Sequence, residues 1–252
     1  MKLNALTLNT WQAKVPAIWS FLKEQHADIV MLQEVLHTEK SSQPEEFSLY
    51  QKLKKELGYQ YASFGSLYHL VIPQGEVEFG NAILSKFPIS SSHTTYFDTP
   101  YQTISWEDIT KSGGDFSQTP MGMLHATVKL PEKTLDVVSV HGIWGFDGDD
   151  NERRLKMADT ILEAGEGKEW VIVGGDFNVK VGTKTIGKLE ANLTNVFDHE
   201  LETTFNLQYK DERFAHAPVD MLFVSRNIAV EGQEMPQVSV SDHMPLVATL
   251  LL

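Results

Sequence analysis

The sequence contains no cysteine among its 252 residues. Disulfide bonds and metal sites built from thiolates are therefore excluded. A chain without cysteine also fits a reducing compartment, because structural disulfides form and persist mainly outside the cytosol. We expect a cytoplasmic protein.

Long apolar runs are missing too. The longest apolar stretches have about the length of a β-strand, far below the roughly 20 residues that cross a bilayer as a helix. Residues 1–9 contain one lysine and lack the apolar core of a signal peptide, so they predict a first strand instead. These features predict a chain that is not integrated into a membrane.

Basic residues are scarce, since Lys and Arg number 21 against 34 Asp and Glu, which gives a net charge of −13. Proteins that grip long nucleic acids usually present a basic face, because neutralising phosphates supplies most of the affinity. The composition therefore argues against a tight binder of duplex nucleic acid, although it does not exclude a nuclease.

Linkers, internal repeats and low-complexity tracts are absent as well. With 42% hydrophobic residues, a chain of this length can bury a substantial core. We therefore expect a single domain over residues 1–252, and a monomer.

Four short segments carry the functional information. Each follows an apolar run of strand character and ends that run with amide, carboxylate or imidazole groups. The segments are residues 7–11 (TLNTW), 32–35 (LQEV), 174–178 (GGDFN) and 241–245 (SDHMP). A sheet that gathers these strand ends would bring two to four carboxylates, two amides and a histidine into one cleft.

So much acid in one place is tolerable only beside a divalent cation, and Mg²⁺ or Mn²⁺ accepts oxygen ligands of this kind. Asp176 and Asn178 are two residues apart, so in an extended chain their side chains point to the same side. A bound cation beside polar groups that orient water suits the hydrolysis of a phosphate ester.

The apolar pattern predicts clusters of strands that alternate with a few helices, which permits two mixed sheets packed face to face. Strands are predicted at residues 3–9, 28–34, 121–130, 134–141, 170–173, 219–225, 228–231 and 246–251. Helices are predicted at residues 16–25, 44–57 and 152–164. Residues 59–97 predict short strands with turns at Gly65, residues 73–75 and Pro88, and residues 98–120 predict a long loop over the cleft.

In their order, the four segments resemble the motifs of the endonuclease/exonuclease/phosphatase superfamily, and residues 80–89 (GNAILSKFPI) resemble a fifth family segment. The resemblance covers the chain end to end. It implies an α/β fold, a four-layer α/β/β/α sandwich in which two mixed β-sheets pack face to face with helices outside. It also implies a hydrolase that depends on Mg²⁺ or Mn²⁺ and cleaves a phosphate ester by direct attack of an activated water.

The resemblance further implies a division of labour among the motif residues. It assigns the metal to Asn9, Glu34 and Asp242, with Asn9 as a ligand or as a partner of the ligands. It assigns catalysis to His141, Asp176, Asn178, Asp220 and His243.

Each catalytic residue has its own implied role. Asp176 would orient or deprotonate the attacking water, and Asn178 would hydrogen-bond a phosphate oxygen. His243 would stabilise the transition state, with its ring held by Asp220. His141 would contact the phosphate or assist the leaving group.

The substrate stays open within the family. The acidic composition favours a small or single-stranded phosphodiester or a phosphomonoester, with nucleic acid as the first expectation. The alternatives are a phospholipid, inositol-phosphate or sugar-phosphate esterase, or a non-catalytic binding protein that keeps the fold. An arginine often found two residues before Asp220 in the family is replaced here by Pro218, which removes one expected cation near the phosphate.

A few other residues are candidates for the cleft. Arg153 and Arg154 begin the helix that follows Trp144, and they would serve either as positive charge towards the substrate or as a solvated helix face. Trp11, Trp106 and Trp144 would either line the cleft or be buried in the core. The remaining histidines are expected on the surface or in the core.

Overall fold

The computed structural model describes residues 1–11, 15–40, 45–209 and 217–252. The strands in these ranges are β1 Lys2–Asn9, β2 Ile29–His37, β3 Tyr61–Ile72, β4 Gly75–Ser85, β5 Ile89–Tyr96, β6 Thr103–Ser105, β7 Gly122–Lys129, β8 Thr134–His141, β9 Val171–Asp176, β10 Leu193–Asn195, β11 Asp220–Ser225, β12 Ala229–Glu234 and β13 Leu246–Leu251. The helices are α1 Val15–Gln25, α2 Leu49–Glu56, α3 Trp106–Lys111, α4 Glu152–Gly165 and α5 Lys184–Glu190, and a 3₁₀ turn at Glu45–Ser48 precedes α2.

The strands form two mixed sheets. The first sheet has seven strands in the order β12-β13-β1-β2-β4-β3-β6, and the second has six in the order β10-β11-β9-β8-β7-β5. Each sheet contains one central parallel pair, β1 with β2 and β8 with β9. Because the strands of each pair are parallel, their carboxyl ends lie at the same edge of the sheet. The polar motif residues stand at this edge.

Alternation along each strand separates two apolar faces. In β1, Leu3 and Ala5 join the core between the sheets, whereas Leu6 and Leu8 pack in the layer shared with α1 and α2. Strand side chains alternate with a period of two, so one strand serves both layers. Because both faces are covered, the central strands are apolar almost throughout.

Three apolar layers hold the sandwich together. The middle layer joins the two sheets through residues such as Met31, Ile83, Leu124 and Ile172. One outer layer packs α1 and α2 on the first sheet, and the other packs α4 and α5 on the second sheet. The predicted α/β/β/α arrangement, with helices outside two face-to-face sheets, is confirmed.

The middle of the chain differs from the sequence prediction. Residues 61–85 form two long strands, β3 and β4, joined at residues 73–74, rather than several short ones. Gly65 lies inside β3 instead of at a turn. A Cβ at this position would lie 2.4 Å from Thr94 Oγ1 of the facing strand, so the position requires glycine. The glycine permits close approach of two strands, a role that composition cannot separate from a turn.

Two other segments were also predicted incompletely. The predicted loop over residues 98–120 contains the short strand β6 and helix α3. Helix α5 had no sequence prediction; Thr183 caps it by accepting a hydrogen bond from the backbone N–H of Ile186. The helix predicted over residues 44–57 is confirmed as α2 with its preceding 3₁₀ turn, while Pro44 lies outside the described residues.

Within the described ranges, none of the helices has the length and apolar character needed to cross a membrane.

Gly142, directly after β8, provides a test of how tightly the strand ends are packed. A Cβ at this position would lie 1.9 Å from the backbone oxygen of Phe177, so Gly142→Ala must move backbone rather than a flexible side chain. We expect the variant to lower the free energy of unfolding by about 2 kcal/mol or more. Gly187 in α5 has no atom within 4 Å of such a Cβ, so Gly187→Ala should stabilise the protein by about 0.5–1 kcal/mol.

Urea denaturation of both variants measures these differences. Equal stability changes for Gly142→Ala and Gly187→Ala would contradict the packing described at the end of β8.

Candidate active site

The inner faces of both sheets turn polar at one edge. Alternation from the apolar core residues of β8, β9 and β11 places His141, Asp176 and Asp220 on the inner face. The pairing register sets Asp176 opposite both His141 and Asp220, so the three lie in one row across neighbouring strands. Asn9 ends β1 on the inner face of the other sheet. The strand register thus brings together residues far apart in sequence.

A buried polar layer lies between this row and the apolar core. Gln33 donates from Nε2 to Ser139 Oγ at 2.9 Å and to Thr7 Oγ1 at 3.3 Å. The Ser139 hydroxyl donates to the backbone oxygen of Leu32 at 3.2 Å. These bonds join β2 of the first sheet to β8 of the second. They fix the separation of the sheets directly beneath the site.

Glu34 reaches the site because the backbone of β2 is distorted there. Regular alternation would turn its side chain away from Gln33 and towards the outer helices. The pairing of β2 with β4 is irregular between Leu32 and Val35, and Glu34 has a φ of +56°. A positive φ is uncommon outside glycine and costs free energy. The bulge redirects this carboxylate into the cleft, a common use of bulges near active sites.

The Asn9 amide lies between two carboxylates. Its Nδ2 donates to Glu34 Oε1 at 2.8 Å and to Asp176 Oδ2 at 3.0 Å, while its Oδ1 accepts from the backbone N–H of Trp11 at 3.0 Å. The orientation of the amide follows from this network, because its oxygen has a donor and its nitrogen has two acceptors. Asn9 therefore holds the two carboxylates together across the gap between the sheets.

The electrostatics at Glu34 are unfavourable without a cation. Burial raises the pKa of Glu34 to about 8, and the Asp242 carboxylate adds to the rise against the hydrogen bond from Asn9. Burial also lowers the pKa of His141 to about 3, with the positive charge of His243 acting in the same direction. His141 is therefore neutral, with its Nε2 3.4 Å from Glu34 Oε1. Its buried Nδ1 has no hydrogen-bond partner among the described residues.

His243 has the opposite character. Its Nδ1 lies 2.8 Å from Asp220 Oδ2, and its Nε2 lies 3.9 Å from Asp176 Oδ2. Burial alone would lower the pKa of His243, but Asp220, Asp176 and Asp242 outweigh it and raise the value to about 10. The ring is therefore positively charged near neutral pH. The site holds one neutral and one charged histidine, each set by its surroundings.

Asp176 is the shared centre of the row. Burial raises its pKa, as does the negative charge of Asp220, whereas His243 and two hydrogen bonds act in the opposite direction. Those bonds come from the Asn9 amide and from the backbone N–H of Asn178 to Oδ1 at 2.8 Å. A carboxylate with a raised pKa is a stronger base than an exposed one, which suits the deprotonation of water.

The loop that carries Asp242 and His243 is tied to a second loop. The backbone N–H of Met244 donates to Thr204 O at 2.7 Å, and Asn206 N–H donates to Asp242 O at 2.8 Å. Between them, Phe205 forms a β-bridge with His243 and packs its ring 4.8 Å from the imidazole. The loop at residues 204–206 therefore orients the histidine from one side.

Two residues that the sequence did not predict complete this support. Thr204 donates from Oγ1 to Asp220 Oδ2 at 2.6 Å, and the same carboxylate oxygen lies 2.8 Å from His243 Nδ1. Ser241 donates from Oγ to the backbone oxygen of Asn9 at 2.7 Å, which joins the last motif to the first. Ser241 belongs to the last motif, but its sequence position indicates no role, and Thr204 has no sequence signal because its loop has no distinctive composition.

The structure brings seven predicted residues into this network, and Asn178 stands beside it. Asn178 has a φ of +54°, and its Nδ2 donates to the backbone oxygen of Gly142 at 3.0 Å, so the amide would have to turn to reach a phosphate. Asp242 is buried, and its charge acts on both Glu34 and His243.

The donor atoms fit a hard divalent cation. Among the described residues, ligand atoms of Glu34, His141 and Asp176 lie within 4.8 Å of one another, and so do those of Asp176, Asp220 and His243. Burial is the largest cause of the raised pKa values of Glu34 and Asp176, and a neighbouring carboxylate adds to each rise, Asp242 for Glu34 and Asp220 for Asp176. Carboxylate oxygens are the ligands that Mg²⁺ and Mn²⁺ prefer. A cation in this position would relieve the repulsion.

A cleft of about 690 Å³ opens over the row. Its lining residues include Glu34, Asp176 and His243 at the site, and Gly113, Phe116, Trp144, Phe146 and Lys180 on the walls. The cleft has the size of an ordinary small-ligand pocket.

The two arginines of α4 do not face this cleft as positive charge. Arg154 is fully buried, and its guanidinium bonds to backbone oxygens of the loop before α4. Arg153 pairs with Asp98 and donates to Ser117 O at 2.7 Å. Arg154 has neither predicted role. It does not offer positive charge to the substrate or form a solvated helix face, because its guanidinium donates hydrogen bonds to the loop before α4. Trp144 lines the cleft.

The comparisons with known proteins agree with this arrangement. A family model described as the endonuclease/exonuclease/phosphatase family matches residues 6–243. An endonuclease/exonuclease/phosphatase structure from Beutenbergia cavernae has a TM-score of 0.77 at 18% identity and covers 100% of this chain and 72% of its own. No curated protein sequence matches the chain.

Two similar structures carry more specific names. D. rerio TDP2, complexed with a single-strand DNA product, has a TM-score of 0.73 at 16% identity and covers 100% of this chain and 99% of its own. A Bacteroides thetaiotaomicron mannosyl-6-phosphatase has a TM-score of 0.69 at 18% identity and covers 99% of this chain and 100% of its own. At these identities the likeness shows the fold alone.

The Glu34 carboxylate generates a stability prediction. Its pKa is about 8 in the folded protein and near 4.5 when unfolded, so the metal-free protein loses stability as the pH rises between these values. Glu34→Gln removes this charge, and the variant should be more stable than the wild type at pH 8 by about 4 kcal/mol. Urea denaturation in a chelator at several pH values measures the gap, which should widen from pH 5 to pH 8.

The surface variant Glu132→Gln is the control, and it should leave the pH dependence unchanged. A Glu34→Gln variant whose stability runs parallel to that of the wild type would show that Glu34 carries no such charge.

The Asp220–His243 pair generates a pH prediction. Asp220 raises the pKa of His243, so Asp220→Asn should lower that pKa. If catalysis requires the charged His243 ring, the alkaline limb of the pH profile of kcat/KM moves to lower pH in this variant. The NMR titration of the His243 ring should shift in the same direction. Asp136→Asn is a matched control, since Asp136 lies 2.7 Å from His125 in another buried pair near the start of β8.

An alkaline limb that stays in place in Asp220→Asn, with the His243 titration unmoved, would reassign Asp220 to folding alone.

Proposed function

The chain belongs to the endonuclease/exonuclease/phosphatase family, whose members are phosphoester hydrolases, and we propose that it hydrolyses a phosphodiester with the help of Mg²⁺ or Mn²⁺. The observation that carries the proposal is the convergence of buried acids on one row at the sheet edge. Glu34, Asp176 and Asp220 stand there with a neutral and a charged histidine. Such a set has no structural purpose that a folded core requires, and its burial costs stability.

The cation would be held at Glu34, with Asp242 nearby. Asn9 supports this site by holding the carboxylates of Glu34 and Asp176 with one amide group. The neighbouring Asp176 and His141 also offer ligand atoms within reach of Glu34. When bound, the cation supplies positive charge against the phosphate oxygens as they become more negative.

The protein residues would supply the remaining chemistry. Asp176, with its raised pKa, would take a proton from the water that attacks phosphorus. The charged His243 ring, held by Asp220, would stabilise the extra negative charge of the pentavalent transition state. Neutral His141 would donate a hydrogen bond to the phosphate or assist the leaving oxygen, and Asn178 would turn to bind a phosphate oxygen. Water attacks directly, so no covalent intermediate forms.

Nucleic acid or one of its fragments is the substrate class that we favour. The single-strand DNA product named for the D. rerio TDP2 structure supports a nuclease-like reaction on this fold. The mannosyl-6-phosphatase from Bacteroides thetaiotaomicron supports the second candidate, a sugar-phosphate or related phosphatase. A non-catalytic binding protein is a weaker account, because all eight predicted site residues are present and the buried acids persist.

An activity panel tests the proposal. Bis(p-nitrophenyl) phosphate, single- and double-stranded DNA, RNA, sphingomyelin, inositol phosphates and mannose 6-phosphate are offered with Mg²⁺, with Mn²⁺ and with a chelator. We expect hydrolysis of at least the simple diester with either cation and none after chelation. Glu34→Gln, which weakens the hold on the cation, and His243→Ala, which removes a charge that stabilises the transition state, should each lower kcat roughly 100-fold or more.

Glu132→Gln controls for surface changes and should retain full activity. Turnover that survives exhaustive chelation, or a His243→Ala variant that changes KM alone, would contradict the proposed chemistry.

A further inference from the structure

A row of aromatic rings reaches the cleft, and three of its members, Phe116, Trp144 and Phe146, line it. Ring centroids lie 5.6 Å apart for Trp11 and Trp106, 6.0 Å for Trp106 and Phe116, 5.7 Å for Phe116 and Trp144, and 4.5 Å for Trp144 and Phe146. Phe146 is the exposed member of this row, at 59%. A large aromatic side chain that is presented to solvent beside a cleft is a feature of binding surfaces.

The segment that presents this ring is held firmly. Arg154 is buried and donates from Nε to Ile143 O at 3.1 Å and from Nη1 to Asp149 O at 2.5 Å. Its Nη1 also donates to Asp147 Oδ1 at 2.9 Å, so three bonds span the loop on both sides of Phe146. A buried guanidinium is costly unless its donors are satisfied. Here it fixes the loop and therefore reduces the conformational entropy lost on binding.

The same loop is joined to the reacting end of the cleft. Gly142, at its start, donates its backbone N–H to Asp176 O at 2.7 Å and accepts from Asn178 Nδ2 at 3.0 Å. Trp144 and Phe146 line one cleft with Glu34, Asp176 and His243. Gly113 and Gly114 also line the cleft, and nothing lies within 4 Å of a Cβ position at either residue. This part of the cleft, which we call the slot, therefore combines aromatic rings with open space at the two glycines.

The charges on the slot do not suit a long polyanion. Besides the charged His243 ring at the reacting end, Lys180 is the cation among the described lining residues, and its Nζ lies 3.1 Å from Asp149 Oδ1. Asp147 also lines the cleft. A groove that tracks a nucleic-acid backbone needs unpaired positive charge along its length. The described walls offer rings and acids instead, which suit one flat, uncharged group.

We propose that Trp144 and Phe146 form a stacking subsite for a single planar ring of the nucleobase class, attached through its sugar to the phosphate that is hydrolysed. The inference rests on the proposed phosphoesterase function, and it narrows the substrate to a small, ring-bearing phosphoester. Base–aromatic stacking contributes affinity with little dependence on the base, because every base offers a π-face. The Trp144 and Phe146 rings therefore select for the presence of a base rather than for the identity of that base.

A pair of ligands that differ only in the base tests the subsite. Thymidine 5′-monophosphate and 2-deoxyribose 5-phosphate are titrated by calorimetry into the protein saturated with Mg²⁺. We expect the nucleotide to bind roughly tenfold more tightly than the sugar phosphate. Phe146→Ala should reduce this advantage to about twofold or less without changing the affinity for the sugar phosphate, and Phe146→Tyr should retain it.

Leu251→Ala is the matched control. Leu251 is also an exposed large apolar side chain, 42% exposed, and its pairing with Lys2 places it at the end of the first sheet opposite Asn9. This variant should keep the tenfold difference. An unchanged difference in Phe146→Ala would overturn the subsite, and so would octyl phosphate binding as tightly as the nucleotide, since a flexible chain cannot stack.

Two further measurements separate this inference from the proposed function. A tetranucleotide should bind within about threefold of the mononucleotide at 0.15 M salt; a large gain that falls steeply with salt would indicate a polyanion groove and contradict the single-ring subsite. Hydrolysis of bis(p-nitrophenyl) phosphate tests the chemistry separately. Turnover of this diester without base discrimination would overturn the subsite alone, whereas base discrimination without any phosphoester turnover would overturn the proposed function alone.

Discussion

The repulsion among buried carboxylates is the constraint on which the rest of this structure depends. Glu34, Asp176, Asp220 and Asp242 converge at one edge of the sandwich. Two groups of the protein offset part of this repulsion: the charged ring of His243 and the amide of Asn9. These groups reduce the repulsion, but burial and the neighbouring carboxylates still raise the pKa of Glu34 to about 8. A cation bound at this edge would offset the remaining repulsion, so part of the cost of burying the carboxylates would be recovered as affinity for the ion.

The fold tolerates this cost because the site stands on a rigid base. The hydrogen bonds of Gln33 and Ser139 fix the two sheets just below it, and the apolar layer between the sheets continues beneath them. Backbone strain is concentrated in the same place, with positive φ at Glu34 and Asn178. Strained positions persist only where the surroundings determine them fully. Precise placement of the carboxylates is thus obtained from the core, whose stability exceeds the local penalty.

Much of the site could be predicted from sequence, because apolar strands with polar ends show where chain direction and burial change together. Asp220 could be named as the partner of His243 only through the family resemblance, since the two lie 23 positions apart. Thr204 and Arg154 could not be assigned their roles. Each acts through contacts to backbone or to one carboxylate oxygen, and such contacts depend on how loops pack rather than on periodicity. Gly65 was predicted at a turn because composition alone does not separate a turn glycine from one that lets two strands approach closely.

The chemistry and the specificity of this molecule therefore depend on different physical features. Strand register fixes His141, Asp176 and Asp220 in one row, and a shift of one residue would turn each of them to the other face. The cleft walls come from loops, where Arg154 fixes one segment by bonding to its backbone and so leaves its side chains open to substitution. A family built this way can keep one hydrolytic row while its loops change substrates. In this chain the cleft walls present rings and acids, and with the proposed stacking subsite they would select for the group that the phosphate carries.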